Sequence, residues 1–397
     1  MADFGATDLD AFRVEAREWL ATHFPPALKG RGAAVLMQGQ TSPESNAWTK
    51  AMGDKGWGTP TWPKDYGGGG LSAAEARALN QEMAALGAWN PIGGMGVMMF
   101  GPTLLEYGTE EQKQRHIPPI TRATLRWCQG YSEPGAGSDL ASLATKCEDK
   151  GDHYLINGSK IWTSGANLAD WCFCLVRTDT AKKHEGISFI LIDMKSPGVE
   201  ARPILLINGT SPFCETFFTD VKVPKENLVG QLNHGWTIGK RLLQFERQNI
   251  SASLGGGGAT APANVEQIAK DYVGLDETGR LADADLRARI TKNRMEMQAF
   301  FLTIKRVEAE SRASKGPSAA TSIIKYVAAT MAQERSELMV EAMGAQGLGW
   351  EGEAFTRDEQ TAVRGWLRSK GNSIEGGTSE VNLNVVSKRV LGLLDHQ

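Results

Sequence analysis

The stretch WCQGYSEPGAGSD, residues Trp127–Asp139, marks the point at which the hydrophobic pattern of the chain changes from helical to extended. From Trp127 to about Asn233 the sequence consists of short apolar runs bounded by turn residues, which is typical of strands. No helical period interrupts these runs, so they predict an antiparallel barrel or sandwich rather than a parallel sheet. Within the region, Asn157-Gly158 is the strongest signal for a β-hairpin.

Helical periodicity lies on both sides of this region. Upstream, Ser72 with Glu75 and Thr109 with Gln112 form capping-box patterns, which predict two helix starts. Downstream, three long helical patterns and a short last one predict a bundle, in which the third long helix ends at Gly344. We therefore predict an α+β protein with an N-terminal helical domain (1–122), a β-domain (123–235) and a C-terminal helical bundle (236–397).

Composition limits the classes of function. The 397 residues are 41% hydrophobic and 22% charged, as in an ordinary soluble enzyme, and the net charge of −3 argues against a broad nucleic-acid surface. No window reaches the ~20 apolar residues of a membrane helix, and the first residues lack the pattern of a signal peptide. The five cysteines and six histidines show no metal-ligand spacing. These features predict a cytoplasmic protein with reduced thiols, no membrane span and no metal.

Three segments resemble the signatures of the acyl-CoA dehydrogenase family, and they occur in the family's order: Ser132–Asp139, Asn157–Ala166 and Gly376–Glu380. The likeness runs from the N-terminal helices to Leu391. It implies the helical, β and helical domains of that fold. It also implies FAD-dependent α,β-dehydrogenation of an acyl-CoA thioester to a trans-2-enoyl-CoA, with proton abstraction by a glutamate and hydride transfer to flavin N5. An electron-transfer flavoprotein as acceptor and a homodimer or homotetramer are further implications.

The resemblance also assigns cofactor and substrate contacts. Gln129, Tyr131 and Ser132 match positions at the flavin ring. Trp162 matches an indole that packs on the isoalloxazine, although by itself it would be assigned to the core of the β-domain. Ser164 matches a position near flavin N5, and Ser138 matches a position near the CoA thioester. The family commonly holds the ADP half of FAD across a dimer interface. The positions that match its contacts are Glu341, Gly344, Gly347, Thr378 and Glu380. The basic Arg-x-x-Phe-Gly segment of many members is not evident, so the residue that meets the pyrophosphate is left open.

The catalytic base is not where many family members carry it. They have it in an Ile-Tyr-Glu-Gly-Thr sequence, where this chain has Gly376 at the base position and Glu375 one residue earlier. In relatives such as isovaleryl-CoA dehydrogenase the base lies on the first long C-terminal helix, where this chain has Glu246 followed by Arg247. We therefore predict Glu246 as base, Arg247 as support of the active-site wall, and the Gly376 amide as donor to the thioester oxygen. Glu375 is the alternative base.

Other functions fit the same resemblance. An acyl-CoA oxidase or a flavin monooxygenase would share the fold, and a non-catalytic subunit of a heteromeric dehydrogenase would fit a site that has lost its usual base. The identity of the acyl group is left open, because it depends on the packing of Met95–Phe100, Leu242–Phe245 and the C-terminal turn.

Overall fold

The computed structural model describes residues 6–30, 42–255, 264–314 and 321–394. The chain forms two compact units, the first from Met1–Pro203 with Pro212–Glu246 and the second from Ile204–Ser211 with Arg247–Gln397. Within the described ranges, no helix has both the length and the apolar character needed to cross a membrane. The predicted α+β class, with helices before and after a central sheet, is confirmed.

Among the described residues, five helices open the first unit. They are α1 (Ala6–His23), α2 (Pro43–Lys55), α3 (Ala73–Leu86), α4 (Gly101–Tyr107) and α5 (Glu110–Thr121), and a π-helical turn, Gly96–Phe100, leads into α4. Both predicted capping boxes are present: Ser72 caps α3 together with Glu75, and Thr109 caps α5 together with Gln112. The apolar faces of α1 to α3 pack into one core around the fully buried Trp48.

Eight strands form one sheet. They are β1 (Trp127–Gly130), β2 (Lys146–Asp149), β3 (His153–Ser164), β4 (Trp171–Arg177), β5 (Ile187–Asp193), β6 (Val199–Ile204), β7 (Phe213–Pro224) and β8 (Leu228–Val229). The order is β6-β7-β3-β2-β4-β5-β8, with β1 beside β4. Most pairs are antiparallel as predicted, but β4 runs parallel to both β1 and β2. This is possible because the chain between the paired strands is long enough for a crossover connection.

The sequence of strand β4 is apolar without alternation because its side chains are buried on both faces of the sheet. Cys172, Cys174 and Val176 enter a core with strands β2, β3 and β7, whereas Phe173 and Leu175 enter a second core with Trp127, Tyr131, Phe100 and the start of the helix at Gly235–Gly255.

The hairpin predicted at Asn157-Gly158 is wrong, because both residues lie within β3. The pairing of β3 with β7 shifts register there, and Gly158 has a φ of 148°. A Cβ on Gly158 would lie 2.7 Å from Thr145 Cα, so the glycine permits a close backbone approach. The chain instead reverses between β2 and β3 at Gly151, whose φ is 92°.

The remaining helices are α6 (Gly235–Gly255), α7 (Val265–Tyr272), α8 (Ala284–Ser314), α9 (Thr321–Ala342), α10 (Arg357–Ser369) and α11 (Ser379–Val385). The end of α9 before Gly344, which has a φ of 56°, is as predicted. Helices α7 and α10 were not predicted. The Thr356–Glu359 capping box at the start of α10 is the signal that would have found it.

Candidate active site

The first predicted contact segment follows directly from β1. Gln129 is half-buried in the strand, Tyr131 is buried and Ser132 is half-buried. Strand β3 holds this segment in place through two consecutive carbonyl groups. Ile161 N donates to Ser132 O at 2.8 Å, and Lys160 Nζ donates to Tyr131 O at 3.1 Å. The two segments that resembled flavin contacts in the sequence are therefore joined by hydrogen bonds.

Trp162 lies on a bulge of β3 and does not belong to the core. The register with β7 shifts between Lys160 and Thr163, and Trp162 has a φ of 60°, a value that side chains with a Cβ seldom adopt. The residue is 53% exposed, and its indole lies perpendicular to the Phe213 ring, with 6.1 Å between the two centroids. The assignment of Trp162 to the core, made without the family resemblance, is wrong because the bulge turns the side chain outward.

This local geometry fits an isoalloxazine ring. A flat apolar side chain is exposed on a strained backbone, and such strain persists at sites where a ligand uses the presented group. Ser164, two residues further along β3, is half-buried and pairs in register with Phe213.

Glu133 and Lys160 form a buried ion pair that the sequence analysis did not single out. Lys160 Nζ lies 2.7 Å from Glu133 Oε1, and the lysine side chain is completely buried. The same carboxylate accepts from Ala144 N at 2.6 Å and from Thr145 N at 2.9 Å. Burial alone would raise the pKa of Glu133, but the Lys160 cation and these donors outweigh it and hold that pKa below its usual value.

The loop that carries Ser138 begins with a tight turn, in which Glu133 and Ala136 exchange backbone hydrogen bonds of 3.0 Å. Ser138 is exposed, and its neighbour Asp139 pairs with Lys183 at 2.9 Å. Lys183 also lines an open depression of about 570 Å³, which is formed by residues 141–144, 146, 177 and 180–183. Buried Arg177 joins its walls by donating to the carbonyls of Ala141, Leu143, Lys182 and Lys183.

Helix α6 approaches β4, and the residue that follows β1, closely through a glycine. A Cβ on Gly239 would lie 3.2 Å from Leu175 Cδ1 and 3.5 Å from Tyr131 Oη, so any side chain here would require the Leu175 side chain to shift. Position 246 is seven residues after Gly239 and four after the fully buried Leu242, and thus falls on the same face of the helix. Glu246 and Arg247 belong to α6, but their side chains lie outside the described residues.

The C-terminal turn is fixed within the second unit. Gly376 and Gly377 have φ values of 62° and 92°. Glu375 is exposed, and its Oε2 accepts from Arg368 Nη2 at 2.6 Å, so the alternative base is engaged in an ion pair. Thr378 caps α11 by accepting from Val381 N at 3.2 Å.

The positions matched to the ADP half of FAD lie at two helix ends of the second unit. Glu341, in the last turn of α9, binds Arg289 through two contacts of 2.6 and 2.7 Å. Gly344 follows that helix, and Gly347 is buried. A Cβ added to Gly347 would lie 2.3 Å from Val340 O, so this position has no room for a side chain. Thr378 and the exposed Glu380 lie together at the start of α11.

Family models match the chain along nearly its whole length. The N-terminal, middle and C-terminal domains of acyl-CoA dehydrogenases match residues 7–124, 128–221 and 233–391. The chain belongs to the acyl-CoA dehydrogenase family. It is therefore an oxidoreductase, and FAD is the cofactor of this acyl-CoA dehydrogenase, in agreement with the surface around Trp162. The predictions of family, enzyme class and cofactor are confirmed.

Individual relatives cover the full chain. The acyl-CoA dehydrogenase IpdE1 of Mycobacterium tuberculosis is 35% identical over 391 residues, 97% of this chain and 98% of that protein. Among solved structures, the Tcur3481-Tcur3483 steroid ACAD matches with a TM-score of 0.74 and 30% identity over 100% of both chains. The ChsE4-ChsE5 complex from Mycobacterium tuberculosis matches with a TM-score of 0.73 and 27% identity over 100% of both chains.

Proposed function

We propose that this acyl-CoA dehydrogenase converts an acyl-CoA to a trans-2-enoyl-CoA, with Glu246 as the base that removes the α-proton. The observation that carries this assignment is the position of residue 246 on the face of α6 that contains Gly239, which lies against Tyr131 of the predicted flavin-contact segment. Two facts about the C-terminal turn agree with it. Gly376 has no side chain, and Glu375 is already bound by Arg368.

In the proposed reaction each residue has one task. FAD, when bound, would supply the hydride-acceptor chemistry for the β-carbon at flavin N5. Glu246 takes the α-proton, and the acyl chain that excludes water around it raises the carboxylate pKa toward the range of a general base. The Gly376 N–H donates to the thioester oxygen and stabilises the negative charge that develops there. Arg247, the next residue on α6, supports the wall of the site.

The proposed cofactor contacts follow the described surface. Trp162 offers a flat indole to the flavin, while Gln129, Tyr131, Ser132 and Ser164 offer polar groups at the ring edge. The ADP half of FAD would be bound jointly by this chain and a second chain. The residues of this chain that would contact it are Glu341, Gly344, Thr378 and Glu380. That requirement supports a homo-oligomer.

The proposed substrate is an acyl-CoA with a bulky acyl group. The open depression that Lys183 lines also carries Lys146 and Lys182, and positive charge of this kind suits the phosphates of CoA. Two of these lysines are paired with carboxylates, Lys146 with Glu148 and Lys183 with Asp139, which the phosphates would displace. A bulky, ring-derived acyl group is supported by the similarity to a steroid ACAD.

The assignment of the base is tested by Glu246→Gln and Glu375→Gln, measured as anaerobic bleaching of bound flavin by acyl-CoAs of graded size. We expect Glu246→Gln to retain flavin and to lose at least about 100-fold in the rate of bleaching, the contribution of a positioned base. Glu375→Gln should keep most of the wild-type rate. The reverse pattern would move the base to Glu375.

The electron acceptor separates a dehydrogenase from an oxidase or a monooxygenase. We propose an electron-transfer flavoprotein as acceptor. After reduction by substrate, the enzyme should therefore pass electrons rapidly to an artificial acceptor and slowly to oxygen. Fast oxygen uptake would assign the chain to one of the other two activities.

A non-catalytic subunit is the second candidate, and the similarity to the two-chain ChsE4-ChsE5 complex favours it. In that case the purified chain would lack FAD or would fail to bleach with every acyl-CoA. Adding a second, related subunit would restore both properties.

A further inference from the structure

We propose that the buried Lys160–Glu133 ion pair is a positioning pair that joins the two flavin-contact segments and tunes the redox potential of the bound flavin. The inference rests on the flavin contacts proposed above for Tyr131, Ser132 and Trp162. Neither Lys160 nor Glu133 would itself touch the flavin.

The pair lies where the two segments meet. Lys160 Nζ contacts both Glu133 Oε1, at 2.7 Å, and the carbonyl of Tyr131, at 3.1 Å. Ile161, the next residue, donates to the carbonyl of Ser132, and Trp162 follows on the bulge. Displacing the Lys160 side chain would therefore disturb the backbone on both sides of the proposed flavin surface.

The carboxylate extends this connection to the loop that carries Ser138. Glu133 accepts from Ala144 N and Thr145 N, which lie at the far end of that loop. The described contacts thus join three pieces of chain through one buried carboxylate and one buried ammonium group.

The ammonium group also has an electrostatic consequence. A cation that donates to the carbonyl of Tyr131 polarises the Tyr131–Ser132 peptide group and strengthens its N–H as a donor, since linked hydrogen bonds polarise one another. That N–H belongs to Ser132, a residue of the proposed flavin edge. A stronger donor and a nearby positive charge both favour the electron-rich, reduced flavin, so they raise its midpoint potential.

Stability alone does not account for a pair in this position. Two charges buried among β-strands carry a large desolvation cost, and apolar residues of the same volume often stabilise a fold as well or better. A role for the charges in flavin chemistry explains why a lysine and a glutamate stand there.

The test uses Lys160→Met, Glu133→Gln and the double variant in the full-length protein, with FAD affinity and midpoint potential as readouts. Lys160→Met should lower the potential, because the cation is lost, and should weaken FAD binding about tenfold, the equivalent of one charged hydrogen bond. Glu133→Gln should raise the potential, because the lysine charge is then uncompensated. Shifts of equal sign in the two variants, or no shift in either, would overturn the proposal.

The double variant separates this role from folding. Removing both charges avoids an unpaired buried ion, so its thermal stability should return toward wild type even if a single variant does not fold. Its midpoint potential should stay below that of the wild type, because the polarising ammonium is gone. A double variant with wild-type potential would show that the pair serves the fold alone.

Two controls identify the source of a negative result. Lys195→Met removes the pair with Asp170 in the connections next to β5 and β4, and should change neither the potential nor FAD affinity. Wild-type protein must bind FAD and bleach with an acyl-CoA. If it does not, the proposed function fails, whereas unchanged potentials in an active enzyme reject only the role of the ion pair.

Discussion

Trp162 has a φ of 60° in the bulge of β3, and the residue is 53% exposed. A left-handed backbone costs a residue with a Cβ roughly 1–2 kcal/mol. A side chain that is half in solvent recovers little of this cost by packing within the chain. In the flavin site proposed above, a ligand on the indole would compensate this strain.

Replacing Trp162 with glycine should separate stability from binding. In Trp162→Gly the backbone strain is relieved, so the free energy of unfolding of the flavin-free protein should stay the same or rise by up to about 1 kcal/mol. FAD affinity should fall several-fold to about tenfold because the stacking surface is lost. Trp162→Phe is the control, since it keeps a flat ring. A loss of more than about 2 kcal/mol in Trp162→Gly would mark a packed core residue instead.

His116 predicts a pH dependence of stability. Its ring is buried against Trp127 and Trp171, and burial, with a smaller effect of Arg115, lowers the pKa of His116 to about 4. His116 therefore binds a proton near pH 6.5 in the unfolded chain but only near pH 4 in the folded protein. Because the unfolded chain binds more protons between these values, the free energy of unfolding falls as the pH drops from 6.5 to 4. The loss can reach about 3 kcal/mol for this pKa difference.

The measurement is urea unfolding at several pH values between 7 and 4. His116→Phe should flatten the decline, because no proton can then bind at this position. His234→Phe, which replaces an exposed histidine, is the control and should leave the slope unchanged. A slope that stays steep in His116→Phe would assign the pH dependence to other groups.

At the level of elements, the helix starts were the most predictable features. Ser72 and Thr109 cap α3 and α5 as their spacing indicated, because a capping box depends on only four consecutive residues. The Asn157-Gly158 hairpin failed for the opposite reason. The conformation at Gly158 depends on Thr145, which lies outside the local sequence and is brought against Gly158 by the fold.

The cap of α3 gives a direct prediction of stability. Ser72→Ala removes the acceptor of the Glu75 N–H and should lower the free energy of unfolding by about 1 kcal/mol. Thr22→Ala, an exposed position inside α1, should have an effect within about 0.5 kcal/mol. Chemical denaturation of both variants gives the two free energies of unfolding and so tests this prediction. Equal effects would show that the cap does not stabilise the helix.

At the level of the whole molecule, many large apolar side chains of the second unit are exposed. Examples are Met295, Leu302, Leu348, Ile374, Leu391 and Leu394. Met295 and Leu302 lie seven residues apart on α8, on one face of the helix. Such surfaces are typical of chains that associate, which agrees with the proposed oligomer.

Sedimentation should therefore give a mass at least twice that of one chain. Met295→Asp with Leu302→Asp should shift the equilibrium toward the single chain, because charges are unfavourable in the centre of an apolar interface. Val14→Asp, at an equally exposed position of α1, is the control and should not change the mass. A wild-type monomer that acquires mass only with a related second chain would identify a heteromer.

The sequence by itself determined the order of helical and β regions, the two capping boxes and the three segments that identify the family. These features depend on residues close together in the chain, where spacing carries the physical constraint. Only the tertiary structure decided that Trp162 is exposed, that Glu133 and Lys160 meet in the interior, and that Glu375 is held by Arg368. The first two depend on the pairing of strands that lie far apart in the chain, and the third depends on how the turn after α10 folds back onto that helix. The stretch at Trp127–Asp139 was therefore one of three segments that pointed to the family, while its hydrogen bonds to β3 set the geometry of the proposed site.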